Sequence, residues 1–341
     1  MSTLPATEHV RLSLNENPFG PSPRVLDAIS SSLMDISRYA GEDVARLRAA
    51  LSAEHEIAPE QIVLGEVLNT FGLYLAAQDG PGREFLYSAP GYTALVDAVR
   101  PAGGKAIAIP LDDRLGNDLG AFLRRTTAET RAVYLVNPHN PTGIVEDSEH
   151  FLDVVAELSQ RTLVLVDEAY LDFLPDARER STARLLREGA RVVVFRTFAK
   201  LHGLAGLGLG YALAPPDLSK AMREIGVGEF FTLNRLGLVA ANASLNDRAF
   251  LDTMRGSIRA ERDAWHALFE RLGVRYTDSQ ANFVFFDAGR PHQVVASRLA
   301  SRGIDVGRAH PPLDNWVRIS IGIARHNEFA RQAVAEVLHD R

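Results

Sequence analysis

Three short apolar runs restrict the fold of this chain more than any other feature of its sequence. The runs are residues 132–136, 163–166 and 192–195. Each contains valine and no charged residue, which is typical of a strand that is covered on both faces. Because helical patterns separate the runs, we predict an α/β fold with a mostly parallel sheet between helices.

Each apolar run stops abruptly at polar residues. Residues 137–140 follow the first run, Asp167 and Glu168 follow the second, and Arg196 and Thr197 follow the third. In open α/β sheets, ligands bind beyond the carboxyl ends of the strands. We therefore expect a binding site at this edge of the sheet.

The pattern along the chain indicates three segments. Residues 1–24 are polar and contain four prolines, so we predict an extended N-terminal arm that packs with the small domain and the active site. Residues 25–235 would form a large domain around the sheet. Residues 236–341 combine helical patterns with strand-like runs, which indicates a smaller α+β domain.

The composition excludes several classes of function. The chain has 341 residues, a formal net charge of −6 and no cysteine, so we expect no nucleic-acid partner, disulfide or thiolate site. The histidines show no metal-ligand spacing, and we predict no metal site. No run is apolar enough to cross a membrane, and the first residues lack signal-peptide order, so a cytoplasmic protein is expected.

One of the three lysines lies where the binding site is predicted. Lys105 opens an apolar run, and Lys220 lies on a predicted helix, so both are expected at the surface. Lys200 follows the third buried strand and precedes a glycine-rich segment. An amine at this edge of the sheet is suited to Schiff-base chemistry.

Several ordered motifs resemble those of the class I/II aminotransferases, which are fold type I pyridoxal-phosphate enzymes. Residues 137–143, 167–170 and 197–200 carry the general resemblance, with the sequences NPHNPTG, DEAY and TFAK. The chain is most similar to histidinol-phosphate aminotransferases, through residues 14–21, 279–283 and 318–322, with the sequences LNENPFGP, SQANF and RISIG. The resemblance implies a pyridoxal-phosphate-transferase fold with pyridoxal 5'-phosphate as cofactor. It also implies an amino donor and a 2-oxo acid acceptor as partners, and a homodimer with shared active sites.

The resemblance also assigns roles to individual residues. The implied catalytic residues are Lys200, Asp167 and Tyr170. The implied cofactor-binding residues are Lys200, Asp167, Asn140, Tyr170, Tyr92, Thr197, Gly65, Glu66, Val67 and, from the neighbouring subunit, Tyr39. The implied substrate-binding residues are Arg318, Asn17 and Arg308.

The chain departs from the family pattern around the cofactor phosphate. Ala199 replaces the usual serine before the lysine, and Gly208 replaces the usual arginine eight residues after it. The loop that begins at Gly65 is also altered, although the start of a helix can still bind phosphate through backbone N–H groups. Arg308 lies one residue later than the arginine that often ends the family's Gly-Ile-x-Val-Arg segment, and a one-residue shift reverses side-chain direction in a strand.

Transamination is the predicted reaction, and two alternatives remain open. Threonine-phosphate decarboxylases share this scaffold, and Gly65 with Glu66 resembles their loop equally well. The losses at positions 199 and 208 are also compatible with a degenerate protein that binds a ligand without turnover. The sequence leaves the amino donor open, since aromatic amino acids fit as well as histidinol phosphate.

Overall fold

The computed structural model describes residues 9–78 and 80–339. Residues 1–8 of the predicted arm lie outside the described part. The remainder of the arm contains a short strand, and the first helix begins at Pro23. No helix in the described part of the chain is long and apolar enough to cross a membrane.

The described residues form eleven strands and thirteen α-helices. The strands are β1 (Val10–Leu12), β2 (Ile62–Leu64), β3 (Glu84–Ala89), β4 (Lys105–Pro110), β5 (Thr130–Val136), β6 (Leu163–Asp167), β7 (Val192–Thr197), β8 (Gly210–Leu213), β9 (Phe283–Asp287), β10 (Ile304–Val306) and β11 (Trp316–Ser320). The α-helices are α1 (Pro23–Ser32), α2 (Gly41–His55), α3 (Leu68–Gln78), α4 (Ala94–Val99), α5 (Leu119–Arg125), α6 (Ser148–Ser159), α7 (Ala177–Arg180), α8 (Ala183–Arg187), α9 (Pro216–Glu224), α10 (Arg235–Leu245), α11 (Arg248–Leu272), α12 (His292–Ala300) and α13 (Ala324–His339). Short 3-10 helices lie at Leu33–Asp35, Pro59–Gln61, Arg100–Ala102, Leu171–Phe173 and Ala205–Leu207.

The central sheet has seven strands in the order β2-β8-β7-β6-β5-β3-β4. Strands β7, β6, β5, β3 and β4 are parallel, whereas β8 is antiparallel to both β7 and β2. The three apolar runs of the sequence are the neighbouring strands β5, β6 and β7, so the prediction of a mostly parallel sheet is confirmed. The antiparallel edge was not predicted.

Both faces of the central sheet are covered. Along β5, Val133 and Leu135 enter one apolar core, whereas Tyr134 and Val136 enter the core on the opposite face. The same alternation continues along β6 and β7. Because neither face meets water, these strands need no polar positions, which explains their continuous apolar sequences.

A third core lies among the C-terminal elements. The long helix α11 packs Trp265 and Phe269 against the antiparallel pair β9–β11, and β1 pairs in parallel with β10. The N-terminal segment is therefore joined to the C-terminal part of the fold. Leu238 and Ala241 of α10 belong to a core of the central sheet, although they follow residue 235. The predicted domain boundaries remain a prediction.

Candidate active site

A cavity of about 650 Å³ lies at the carboxyl ends of β5, β6 and β7. These strands bring Val136, Asp167 and Thr197 to its wall. Of the residues predicted from the sequence, those that line the cavity are Lys200, Asp167, Tyr170, Asn140, Tyr92, Thr197, Gly65, Glu66, Val67, Arg318 and Arg308. The polar residues that end the strands thus meet in one place, as the parallel topology requires.

Asp167 is the buried anion of the cavity. Its Oδ1 accepts a hydrogen bond of 3.0 Å from the Ala169 N–H, and its Oδ2 accepts one of 3.1 Å from the Tyr134 hydroxyl. Burial raises the pKa of Asp167 to about 6, although these hydrogen bonds and the charge of Lys200 oppose the shift. A buried carboxylate with a raised pKa favours a cationic or N–H partner in the cavity.

Lys200 follows β7 and presents its amine to the same cavity. The buried ring of Phe198 fixes the turn after the strand, and the Ala199 N–H donates to Thr197 Oγ1 at 3.0 Å. Lys200 Nζ makes a long hydrogen bond of 3.4 Å to the Leu14 carbonyl and lies 5.7 Å from the centre of the Tyr170 ring. No carboxylate in the described residues forms an ion pair with this amine.

A hydrogen-bonded group of side chains surrounds the Tyr170 hydroxyl. Asn15 Nδ2 donates to it at 3.1 Å, and Asn140 Nδ2 donates at 3.4 Å. Asn15 also accepts from the Ser320 hydroxyl at 3.0 Å, and its backbone has a φ of 55°. Asparagine tolerates this left-handed conformation better than most residues, which allows the N-terminal segment to turn its side chain inward.

Two arginines lie at one end of the cavity. Arg318 on β11 is buried, and its Nη1 donates to Asn140 Oδ1 at 2.6 Å while its Nη2 donates to the Ser13 carbonyl at 3.0 Å. Arg308 is exposed and also lines the cavity. Strand β10 ends at Val306, so the strict alternation of a strand no longer determines the direction of Arg308.

The start of α3 forms the other end of the cavity. Residues 65–68 line it, and the first N–H groups of an α-helix have no partner within the helix. Glu66 adds a carboxylate here. Burial raises the pKa of this carboxyl group, and the charge of Lys200 opposes the shift only in part. Gly208 does not line the cavity; a Cβ added there would meet no atom within 4 Å.

Two predicted site residues lie outside this cavity. Asn17 Nδ2 donates to the Leu201 carbonyl at 2.7 Å, and its Oδ1 accepts from the Phe19 N–H at 3.0 Å. These bonds stabilise a turn, so Asn17 does not line the cavity of this structure, and its substrate contact stays a prediction. The Tyr39 side chain is 76% exposed and lies against Phe230, with ring centres 5.6 Å apart.

Asn15, His310 and Arg196 line the cavity, although no role was predicted for them from the sequence. Asn15 lies in the same motif as Asn17, which was the residue predicted to line the site. The Asn-x-Asn pattern does not indicate which of the two asparagines faces the cavity. His310 is buried, and burial with the nearby Arg318 lowers its pKa to about 3. Arg196 is held by Glu168 Oε2 at 2.9 Å and by Asp172 Oδ1 at 2.6 Å. Arg196 follows the third apolar run, a position at which the sequence predicted the binding site, whereas no sequence pattern pointed to His310.

The cavity fits the predicted cofactor, pyridoxal phosphate. Lys200 provides an amine without a carboxylate partner, and Asp167 provides a buried acceptor for the ring nitrogen. The start of α3 and Thr197 provide hydrogen-bond donors for a phosphate. No group of three or more histidine, aspartate or glutamate residues that could hold a metal ion exists among residues 9–78 and 80–339.

Comparison with known proteins identifies related enzymes. The family model described as aminotransferase class I and II matches residues 7–338. A histidinol-phosphate aminotransferase of Limosilactobacillus fermentum is 32% identical over 332 residues, which are 96% of this chain and 91% of the relative. An aromatic amino acid aminotransferase of Cutibacterium acnes is 31% identical over 330 residues, or 96% and 92% of the two chains.

Solved structures agree with the fold described above. The histidinol-phosphate aminotransferase of Sinorhizobium meliloti, in complex with pyridoxal-5'-phosphate, is 30% identical and superposes with a TM-score of 0.87 over 97% of this chain and 90% of that one. An aspartate aminotransferase of Thermus thermophilus with maleate has a TM-score of 0.83 at 24% identity, over 97% and 92% of the chains. The predicted fold type I architecture is therefore confirmed.

Proposed function

This chain belongs to the class I and II aminotransferases, and we propose that it moves an amino group from an amino acid or a histidinol-phosphate-like amino-alcohol phosphate to a 2-oxo acid such as 2-oxoglutarate. The enzyme is a pyridoxal-phosphate-dependent aminotransferase. One observation carries the proposed site: Lys200 and Asp167 line one cavity at the carboxyl ends of adjacent parallel strands.

Each cavity residue has a separate role in the proposed reaction. Bound pyridoxal phosphate supplies an electron sink for the pair released when the substrate α-proton leaves. Asp167 would accept a hydrogen bond from the ring nitrogen and keep that nitrogen protonated. Lys200 Nζ would anchor the cofactor, and its free amine would accept the substrate α-proton and release it again. Tyr170 and Asn140 would hydrogen-bond to the ring oxygen, and Tyr92 would stack on the ring.

The arginine end of the cavity binds the substrate. Arg318 is prepared for this task, because Asn140 and the Ser13 carbonyl already orient its guanidinium. A planar guanidinium holds a carboxylate with two parallel hydrogen bonds. Arg308 has no hydrogen bond or ion pair to the described residues, so its charge can bind a second anionic group of a donor or acceptor. This pair of cations supports a dicarboxylate or phosphate-bearing substrate.

The phosphate of the cofactor would bind at the start of α3. The backbone N–H groups of residues 66 and 67 and the Thr197 hydroxyl would be the donors of this chain, because the Gly65 N–H already donates to the Gly210 carbonyl at 2.9 Å. Arg196 does not take the place of the missing arginine, because Glu168 and Asp172 already hold its guanidinium. The phosphate therefore has fewer charged partners here than the family pattern provides.

We also propose a homodimer with shared active sites. Tyr39 contacts Phe230, which in turn contacts Phe231, and all three side chains are exposed in the single chain. Leu33, Met34 and Ile36, a few residues before Tyr39 in the sequence, are exposed as well. An exposed apolar surface of this kind is a common protein interface. Tyr39 lies on it and would reach the cofactor phosphate of the neighbouring subunit. The cytoplasmic location predicted from the sequence remains a prediction.

The relatives compared above are named aminotransferases, which favours transamination over decarboxylation and over a non-catalytic role. The test is to incubate the cofactor-loaded protein with 2-oxoglutarate and histidinol phosphate, phenylalanine or threonine phosphate in turn. We expect glutamate to form with at least one amino donor. Carbon dioxide release without glutamate would establish the decarboxylase instead. The absence of both products with every donor would contradict the proposed reaction for these substrates.

A further inference from the structure

A second cavity lies at the opposite edge of the central sheet. Its volume is about 300 Å³, and it lies at the amino ends of β5, β6 and β7, whose carboxyl ends reach the active site. Four arginines line it, from four separate segments of the chain: Arg83, Arg131, Arg161 and Arg191. The other lining residues are Ala128, Thr130, Ser159, Gln160, Thr162 and Leu163, so no carboxylate belongs to the described wall.

Arg83 and Arg191 have carboxylate partners that face solvent. Arg83 lies 3.6 Å from Glu129, and Arg191 lies 3.2 Å from Asp217. The side chains of Glu129 and Asp217 are 72% and 58% exposed, so water screens both pairs. In addition, Arg83 Nε is buried and has no hydrogen-bond partner among the described residues. These two guanidinium groups therefore keep bonding capacity for an anion.

The hydrogen-bond partners of Arg161 do not neutralise its positive charge. Its Nη1 donates to the Leu123 carbonyl at 2.9 Å, and its Nη2 donates to the Thr126 carbonyl. These carbonyls lie at the C-terminal end of α5, where a cation is favourable. Carbonyl partners fix the guanidinium in place but do not neutralise it. The cavity thus holds a positive charge in a chain whose net charge is −6.

We propose that this arginine cavity binds a small phosphate anion of about diphosphate size. Guanidinium groups match phosphate oxygens in geometry and in charge. The volume is at the lower end of the range for ligand pockets, which suits a diphosphate better than a larger nucleotide. The site is separate from the catalytic cavity and does not depend on the proposed reaction.

The experiment is calorimetric titration of inorganic pyrophosphate into the cofactor-loaded protein at constant ionic strength. We expect one site per chain, and the double variant R83Q/R191Q should bind at least tenfold more weakly because two charged donors are lost. The matched control is R184Q/R259Q, which also removes two exposed arginines from ion pairs but leaves the cavity intact. A third variant, R308Q, tests the active site as a competing location.

The control variant and R308Q should bind pyrophosphate as the wild type does. Absence of binding to the wild type would overturn the proposal, and so would unchanged affinity in R83Q/R191Q. Loss of binding in R308Q alone would place the anion in the active site and would also overturn it. Circular dichroism and cofactor absorbance verify folding, and the single variant R191Q, with a half-exposed side chain, provides a milder substitution with an intermediate expected loss.

Discussion

Arg318 Nη1 donates a hydrogen bond of 2.6 Å to Asn140 Oδ1, although the two residues are 178 positions apart in the chain. The bond joins a strand of the C-terminal part to the loop that follows β5. Gly307 lies beside the same guanidinium, and a Cβ added there would be only 3.0 Å from Arg318 Nε. Arg318 is thus oriented before substrate arrives, and the absence of a side chain at Gly307 leaves room for the guanidinium.

Replacing Arg318 by lysine should weaken substrate binding and spare the cofactor. A single ammonium group cannot reproduce two parallel hydrogen bonds, so we expect KM for the amino donor to rise roughly tenfold to a hundredfold. The measurement is steady-state kinetics, together with a titration of pyridoxal phosphate to show that cofactor affinity is kept. An unchanged KM would mean that Arg318 serves structure alone.

Replacing Lys200 by alanine should abolish turnover and the visible absorbance of covalently held pyridoxal phosphate. The matched control is Lys220→Ala, because Lys220 is an exposed residue of α9 paired with Glu224 at 2.9 Å. Absorbance after gel filtration and a transamination assay measure both effects. Retention of activity in the Lys200 variant would contradict the assignment of the amine.

Asp167 should make cofactor binding depend on pH. Its pKa in the folded chain is raised from 3.8 to about 6, mainly by burial. The folded apoprotein therefore binds the extra proton, and its stability falls as pH rises from about 4 to about 6. Since the charged carboxylate is the form that holds a protonated ring nitrogen, cofactor affinity should rise over the same range.

The variant Asp167→Asn tests both statements. We expect it to stabilise the apoprotein at pH 7 by on the order of 2–3 kcal/mol, because the ionised form no longer has to be buried. It should also lower turnover by orders of magnitude and flatten the pH dependence of pyridoxal phosphate binding. Thermal unfolding and cofactor titrations from about pH 4 to about pH 8 measure these effects. Identical pH profiles for variant and wild type would remove Asp167 from the cofactor site.

Replacing Gly208 by arginine should tighten cofactor binding. The position has open space, and a hydrogen bond from a guanidinium to phosphate contributes about 1.5–3 kcal/mol. The φ of 55° at Gly208 costs a side chain about 1 kcal/mol, so we expect a gain of roughly two- to thirtyfold in affinity. The control is Gly206→Arg, because Gly206 also has open space. Weaker binding in a folded Gly208 variant would show that another group already holds the phosphate.

Complementation between variants should reveal a shared active site. Tyr39→Ala should weaken cofactor binding, and Lys200→Ala should be inactive. If each site combines Lys200 of one chain with Tyr39 of the other, a mixed dimer of the two variants contains one intact site. Mixing them under conditions of subunit exchange should therefore raise activity above that of either variant alone. No gain from dimers that have exchanged subunits would contradict a shared site.

The sequence by itself determined the elements whose signal is local. The valine-rich runs 132–136, 163–166 and 192–195 predicted buried strands of a mostly parallel sheet, because a continuous apolar strand must be covered on both faces. The polar residues after each run predicted that Asp167 and Lys200 would lie in one cavity, since parallel strands end at the same edge.

Only the tertiary structure decided which distant residues meet. It selected Asn15 over Asn17 for the cavity wall, brought Arg308 to the cavity after β10 had ended, and placed the antiparallel strand β8 between β7 and the edge strand β2. It also paired Arg318 with Asn140. Such contacts depend on how separate elements pack and on the backbone turns between them. The periodicity within one segment of the sequence contains no information about that packing or those turns.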